Sequence, residues 1–168
     1  MRLQRSFRKQ AIQNNTDMIV FPELSLTGYE PSLAESLVTN QDDTRLNEIQ
    51  GLSDRNEITI GVGLPTKDES DTFVSMVLFQ PHKERITYSK QYLYPPEEHI
   101  FKAGKNPIVL KFETEVVSPA ICYETTNKAH CEFAKRNKAT IYIASVLSSI
   151  NGIDTELKLL SDIAKIII

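Results

Sequence analysis

The sequence predicts one α/β domain of mixed helices and strands, and three observations carry that expectation. Short continuous apolar runs, such as Met18-Ile19-Val20-Phe21, have the make-up of strands buried on both faces. Between them lie longer polar segments whose apolar residues recur at helical spacing. The 168 residues suffice for one domain with a real core and are few for two. The chain shows no repeat, low-complexity tract or linker, so residues 1–168 are read as a single domain.

In chain order, residues 2–14 place Leu3, Phe7 and Ile12 on a helix face, and Arg2, Arg5, Arg8 and Lys9 on a solvated one. Asn14-Asn15-Thr16-Asp17 breaks the helix. Residues 18–21 form a buried strand that Pro22 must end, because proline lacks the N–H a ladder needs. After the loop Gly28-Tyr29-Glu30-Pro31, residues 31–56 read as helical, with Leu46, Ile49 and Leu52 three apart. Residues 58–64 form a strand whose glycines allow close backbone approach. A charged turn at 67–71 leads to strands at 73–79 and 85–88, joined through His82-Lys83-Glu84 as a hairpin. Residues 92–107, with Pro95-Pro96 and Gly104, form a long irregular segment of the kind that carries function. Strands at 108–112 and 116–122, a helix at 126–138, a buried strand at 140–147 and a helix at 154–166 complete the chain.

Composition excludes several classes. A 40% hydrophobic and 24% charged content is that of an ordinary globular protein. The formal charge of −3 gives no electrostatic reason to bind nucleic acid or an anionic membrane. No leader-like apolar stretch follows the polar first residues, and no run approaches the roughly 20 apolar residues of a membrane span. Ile166-Ile167-Ile168 is apolar but short. Two cysteines, Cys122 and Cys131, are too few for a disulfide scaffold, which points to a cytoplasmic chain with reduced thiols. His82, His99 and His130 are scattered without a Cys/His cluster, so neither a metal nor another cofactor is expected.

Three segments end apolar runs with a reactive group. Cys122 follows a strand and precedes a turn into a helix, an elbow that exposes a side chain and leaves backbone N–H groups, that of Tyr123 first, to bind an oxyanion. A lone buried cysteine is commonly an inert hydrophobe, and Cys131 in mid-helix is read that way. Glu23 sits at a strand exit, where partial burial raises a carboxyl pKa toward that of a general base. By itself it reads first as a helix-capping or salt-bridged glutamate. Lys90, alone, is an ordinary surface lysine. Beside a cysteine it favours thiolate and stabilises a developing oxyanion.

Phe21-Pro22-Glu23-Leu24-Ser25-Leu26-Thr27-Gly28-Tyr29 resembles the glutamate motif of the nitrilase superfamily, the carbon–nitrogen hydrolases. Lys90-Gln91-Tyr92-Leu93 is similar to their lysine motif and Ile121-Cys122-Tyr123-Glu124 to their cysteine motif. The separations, 67 residues from Glu23 to Lys90 and 32 from Lys90 to Cys122, are also similar. Gly61-Val62-Gly63-Leu64-Pro65 resembles the strand between the first two motifs. The resemblance runs from about residue 16 to 149. It implies a four-layer αββα sandwich and hydrolysis of a small amide, or less commonly a nitrile. Cys122 is then the nucleophile, Glu23 the base, and Lys90 with the Tyr123 N–H the oxyanion stabilisers. It also implies a thioester intermediate and a second, substrate-positioning glutamate at Glu97, with Glu98 the runner-up. Residues 92–101 and 146–153 would shape the pocket, offering Tyr94, His99 and Ser148 without a decisive charge. Relatives pair as dimers through helices that follow the glutamate and cysteine elements, here including residues 128–138.

Three departures accompany the likeness. Ser118, followed by Pro119, stands where the family usually has glycine, and a proline there requires a bulge or an edge. The family's first strand has no counterpart, and its last strands lie beyond Ile168, so the expected sandwich is incomplete. A non-catalytic remnant or interaction module that keeps the three residues is the alternative to an enzyme. A thiol-redox protein would instead need a Cys122–Cys131 disulfide.

Overall fold

The computed structural model describes residues 2–167, with side chains from residue 6. The side chains of Arg2, Leu3 and Arg5, and the whole of Ile168, lie outside the described residues. Helix α1 (Arg2–Gln13) leads to strand β1 (Met18–Val20). A short helix α2 (Ala34–Leu37) and helix α3 (Asn47–Asn56) precede strands β2 (Thr59–Asp68), β3 (Asp71–Phe79) and β4 (Ile86–Ser89). Strands β5 (Leu110–Lys111) and β6 (Val116–Ile121), helix α4 (Lys128–Arg136), strand β7 (Ile141–Ser145) and helix α5 (Ile153–Ile167) come next.

The strands form two sheets, β1-β2-β3-β4 and β5-β6-β7. In the first, β1 runs parallel to β2, and β2, β3 and β4 are antiparallel in turn. In the second, β5 is antiparallel and β7 parallel to β6. Period-2 alternation divides β3 between two cores. Val77 and Phe79 join Ile60, Val62 and Leu64 of β2 against Ala11 of α1 and Ile49 of α3. Val74, Met76 and Leu78 join Tyr88, Phe101, Val117 and Ile121 in a core that spans both sheets. On the far side, α4 reaches β7 through His130, which bonds Tyr142. The result is helix, sheet, sheet, helix.

Several elements differ from expectation. The helix foreseen over 31–56 is broken: Thr39 leaves α2 to form a parallel bridge with Thr66, and the chain re-enters helix only at Asn47. Asp43 sets that restart, its carboxylate accepting the Arg45 N–H at 2.8 Å. Arg8, expected in solvent, is buried at 6% exposure. Strand β7 is less buried than its apolar run suggests, with Ile141 43% exposed, because its outer edge carries no further described strand. Pro119 pairs with Ile143 of β7, while β5 reaches only Val116 and Val117. Beyond Val117 that flank of β6 is therefore an edge, where a missing N–H is tolerated.

Candidate active site

Glu23 is positioned by the abrupt end of β1. The Phe21 N–H still donates to Gly61 at 2.9 Å, but Pro22 cannot extend the ladder, and Leu24 turns the chain at φ +50°. The turn then lies directly over β2. A Cβ on Gly63 would meet the Pro22 carbonyl oxygen at 2.6 Å, so only glycine lets the two backbones approach this closely. Glu23 is directed inward and is 4% exposed.

Lys90 continues β4 by one residue, its N–H donating to Val74 at 2.8 Å. The irregular segment after it folds back so that the Gly104 N–H donates to the Lys90 carbonyl at 2.8 Å. The ammonium is fully buried between two carboxylates. It donates to Glu23 Oε1 at 2.7 Å and to Glu97 Oε2 and Oε1 at 2.9 and 3.2 Å. Glu97 ends the short turn Pro95–Glu97 and also accepts the Tyr94 N–H at 2.9 Å and the Tyr29 hydroxyl at 3.0 Å. Glu98, the runner-up on sequence, is exposed. So are Tyr94, His99 and Ser148, expected as pocket residues.

Cys122 opens the turn Cys122–Thr126 directly after β6, at φ +46°. Left-handed backbone at a residue with a Cβ costs about 1–3 kcal/mol, and such strain concentrates at functional positions. The thiol is partly buried, within the electrostatic reach of both Glu23 and Lys90. Burial pushes it up to about 11, and the Glu23 charge adds to that while Lys90 pulls back. A thiol held this high is neutral at pH 7 and attacks only if a base takes its proton as it reacts. Burial raises the Glu23 carboxyl too, against the pull of Lys90. Burial alone would lower Lys90, but Glu23 and Glu97 outweigh it and keep the ammonium charged. The Tyr123 N–H belongs to the first turn after β6, where N–H groups lack an intrahelical acceptor.

A second buried cluster, to which the sequence alone assigns no role, sits behind these groups. Glu124, fully buried, accepts the Gln91 N–H at 2.6 Å on one oxygen and the Ile121 N–H at 2.7 Å on the other. The Tyr88 hydroxyl lies 2.9 and 2.8 Å from the two oxygens and 2.9 Å from His130 Nε2. His130 Nδ1 is 2.8 Å from the Tyr142 hydroxyl. Burial lowers His130 to about 4, so the imidazole is neutral. The network then assigns Tyr142 as donor to Nδ1, Nε2–H as donor to Tyr88, and Tyr88 as donor to Glu124. Burial lifts Glu124 to about 7, with the Gln91 and Ile121 N–H groups and the Tyr88 hydroxyl opposing. Its signal was present in the segment Ile121-Cys122-Tyr123-Glu124, but nothing in a single sequence says which way the side chain turns. Among the described residues no group of three or more His, Cys, Asp or Glu is placed to hold a metal ion. No described helix is long and apolar enough to cross a membrane.

Two stacked sheets flanked by helices, with Glu23 and Lys90 in contact at strand ends, form an architecture shared with solved structures of the nitrilase superfamily. A structure of a CN-hydrolase superfamily protein from Xanthomonas campestris, with an arsenic adduct in its active site, matches 95% of this chain and 64% of its own at TM-score 0.82 and 14% identity. Nit3 of Saccharomyces cerevisiae, a member of branch 10 of the nitrilase superfamily, matches at TM-score 0.82 and 16% identity over 94% and 62%. An amidase from Nesterenkonia sp. matches at TM-score 0.79 and 24% identity over 96% and 63%. A structure of the E41Q mutant of the amidase from Nesterenkonia sp. AN1 shows the result of Michael addition of acrylamide at its active-site cysteine. No curated protein matches in sequence. The carbon–nitrogen hydrolase family model matches residues 3–162, and the chain belongs to that family. It spans less than two thirds of the length of these solved structures.

Proposed function

We propose that this chain hydrolyses the carbon–nitrogen bond of a small, uncharged amide at Cys122. The observation that carries the reading is the contact set on Lys90: its buried ammonium donates to Glu23 at 2.7 Å and to Glu97 at 2.9 Å, and the charges of Glu23 and Lys90 both act on the Cys122 thiol. Glu23 takes the thiol proton as the sulfur attacks the amide carbonyl, forming the C–S bond and a tetrahedral oxyanion. The Lys90 ammonium and the Tyr123 N–H hold that oxyanion. Glu23 then passes its proton to the nitrogen, the C–N bond breaks, and ammonia or an amine leaves a thioester on Cys122. Water, deprotonated by Glu23, attacks the thioester. The C–S bond breaks, the acid departs, and the sulfur regains its proton from Glu23.

Glu97 holds Lys90 and orients the substrate amide. With two carboxylates around one ammonium the site is poor in positive charge, which favours neutral amides over carboxylate-bearing ones. A groove of about 490 Å³, lined by Tyr123, Gln91, Leu93, Pro95 and Asn127, lies beside the sequence neighbours of Lys90 and Cys122 and is not itself lined by Glu23, Lys90 or Cys122. Residues 1–168 act as one domain. The same reading places the chain, with its two free cysteines, in the cytoplasm. It pairs the chain as a homodimer through the helices that follow the glutamate and cysteine elements, α4 among them.

Ammonia release from a panel of small amides, by wild type and Cys122→Ala, tests the reading. Release by wild type alone, with acrylamide adding its mass at Cys122, is expected. Equal rates from both proteins would leave the chain a non-catalytic module of the family.

A further inference from the structure

Glu124 is a fully buried carboxylate two residues beyond Cys122, and a charge in that position must be satisfied by hydrogen bonds. Its partners are unusual in where they stand on the chain. One oxygen takes the N–H of Gln91, the residue after Lys90, and the other takes the N–H of Ile121, the residue before Cys122. The Tyr88 hydroxyl, two residues before Lys90, closes on both oxygens at 2.9 and 2.8 Å. Lys90 extends β4 of the first sheet, and Cys122 extends β6 of the second. Among the described residues no ladder joins the two sheets; they meet through the side-chain core and through the Ser145 hydroxyl of β7, which donates to the Phe21 carbonyl at 2.9 Å. A nonpolar core fixes the spacing of sheets but is non-directional and tolerates small slides. Hydrogen bonds to backbone on both sides of the seam do not.

We propose that Glu124 is a positioning residue, a carboxylate clamp that bonds the backbone beside Lys90 and beside Cys122 and so sets the ammonium-to-thiol geometry across the two sheets. This rests on the amide-hydrolase reading for its catalytic consequence, but not for its structural one. Both backbone partners are donors, so the clamp must accept on both oxygens. Glutamine, although the same size, would turn its NH₂ toward one of the two N–H groups, donor against donor. The row of donors behind it, Tyr142 to His130 to Tyr88, ends on this carboxylate and holds it in register.

The test compares wild type, Glu124→Gln and Tyr88→Phe as full chains, each checked for folding by circular dichroism. Two readouts are taken: kcat and KM per titratable Cys122, and the pH profile of Cys122 alkylation by iodoacetamide, resolved from Cys131 by peptide mass. In Glu124→Gln, kcat is expected to fall about 100-fold with KM within about threefold, because misplacement acts on the reacting geometry. The thiol, freed from its buried setting, should titrate below the wild-type value of about 11, and neutral-pH alkylation should speed at least about tenfold. Tyr88→Phe keeps both backbone bonds but removes the third donor on the carboxylate, and should show the same changes at about three- to tenfold. If Glu124→Gln does not fold, Tyr88→Phe decides: both readouts unchanged overturn the clamp. A wild-type kcat per titrated thiol together with an unchanged alkylation profile overturns the clamp. If wild type turns over no amide, the alkylation profile alone decides: a shift supports the clamp while the hydrolase reading falls.

Discussion

At the scale of single residues, the thiol of Cys122 is held in a state it must be helped out of. Its proton is bound more tightly in the folded chain, at about 11, than in the unfolded one, near 9, so the folded state holds more protons between those values. Stability is therefore present below pH 9 and is lost as pH rises from 9 toward 11. Cys122→Ala should lose less than wild type between about pH 9 and pH 11 in urea denaturation. Glu23→Gln removes the base and the negative charge beside the thiol together. Turnover should fall about 10²–10⁴-fold, while the alkylation profile of Cys122 moves to lower pH. Because burial raises the Glu23 carboxyl, the acid limb of kcat/KM should lie above the ordinary value of 4.5. Ser118 offers a prediction of opposite sign. Its hydroxyl is fully buried in β6 without a hydrogen-bond partner, so Ser118→Ala should leave stability unchanged or raise it by about 1 kcal/mol in the urea midpoint.

At the scale of elements, the site depends on how strands end. β1 ends at a proline, β4 runs one residue past its ladder, and β6 breaks into a left-handed residue. Gly104 lies so close over the end of β4 that a Cβ there would overlap the Ser89 carbonyl. Gly104→Ala should push the returning segment off Lys90 and lower turnover at least about tenfold, read beside a thermal melt. Helix α4 brings His130 to the buried cluster and is capped by Asn127, whose side chain accepts the Ala129 N–H at 2.9 Å. Asn127→Ala should cost about 1 kcal/mol in the urea midpoint. Strand and helix placement was largely legible from apolar runs and periodicity. The break within 31–56 was not, because Thr39 leaves the helix to pair with Thr66, 27 residues away in sequence.

At the scale of the whole molecule, the two sheets are joined by one apolar core to which the irregular segment contributes Leu93 and Phe101. Phe101 is 1% exposed, and Phe101→Ala should cost about 3–5 kcal/mol, a large part of a typical domain's stability. Chemical denaturation with the slope compared to wild type would measure it. Turnover should fall as well, since the same segment carries Glu97 against Lys90.

Residue order alone was enough for the alternation of helices and strands and for the three short segments bearing Glu23, Lys90 and Cys122. It was enough because strand-ending chemistry and motif spacing are local properties. It also favoured Glu97 over Glu98. The folded chain was needed to show that Glu97 reaches Lys90 from one side while Glu23 reaches it from the other, and that Arg8 is buried rather than solvated. Folding also turned Glu124 from a motif letter into a bond between two sheets. Contacts across a sheet seam depend on the direction each side chain takes after the chain has returned, and no spacing along the sequence records that direction.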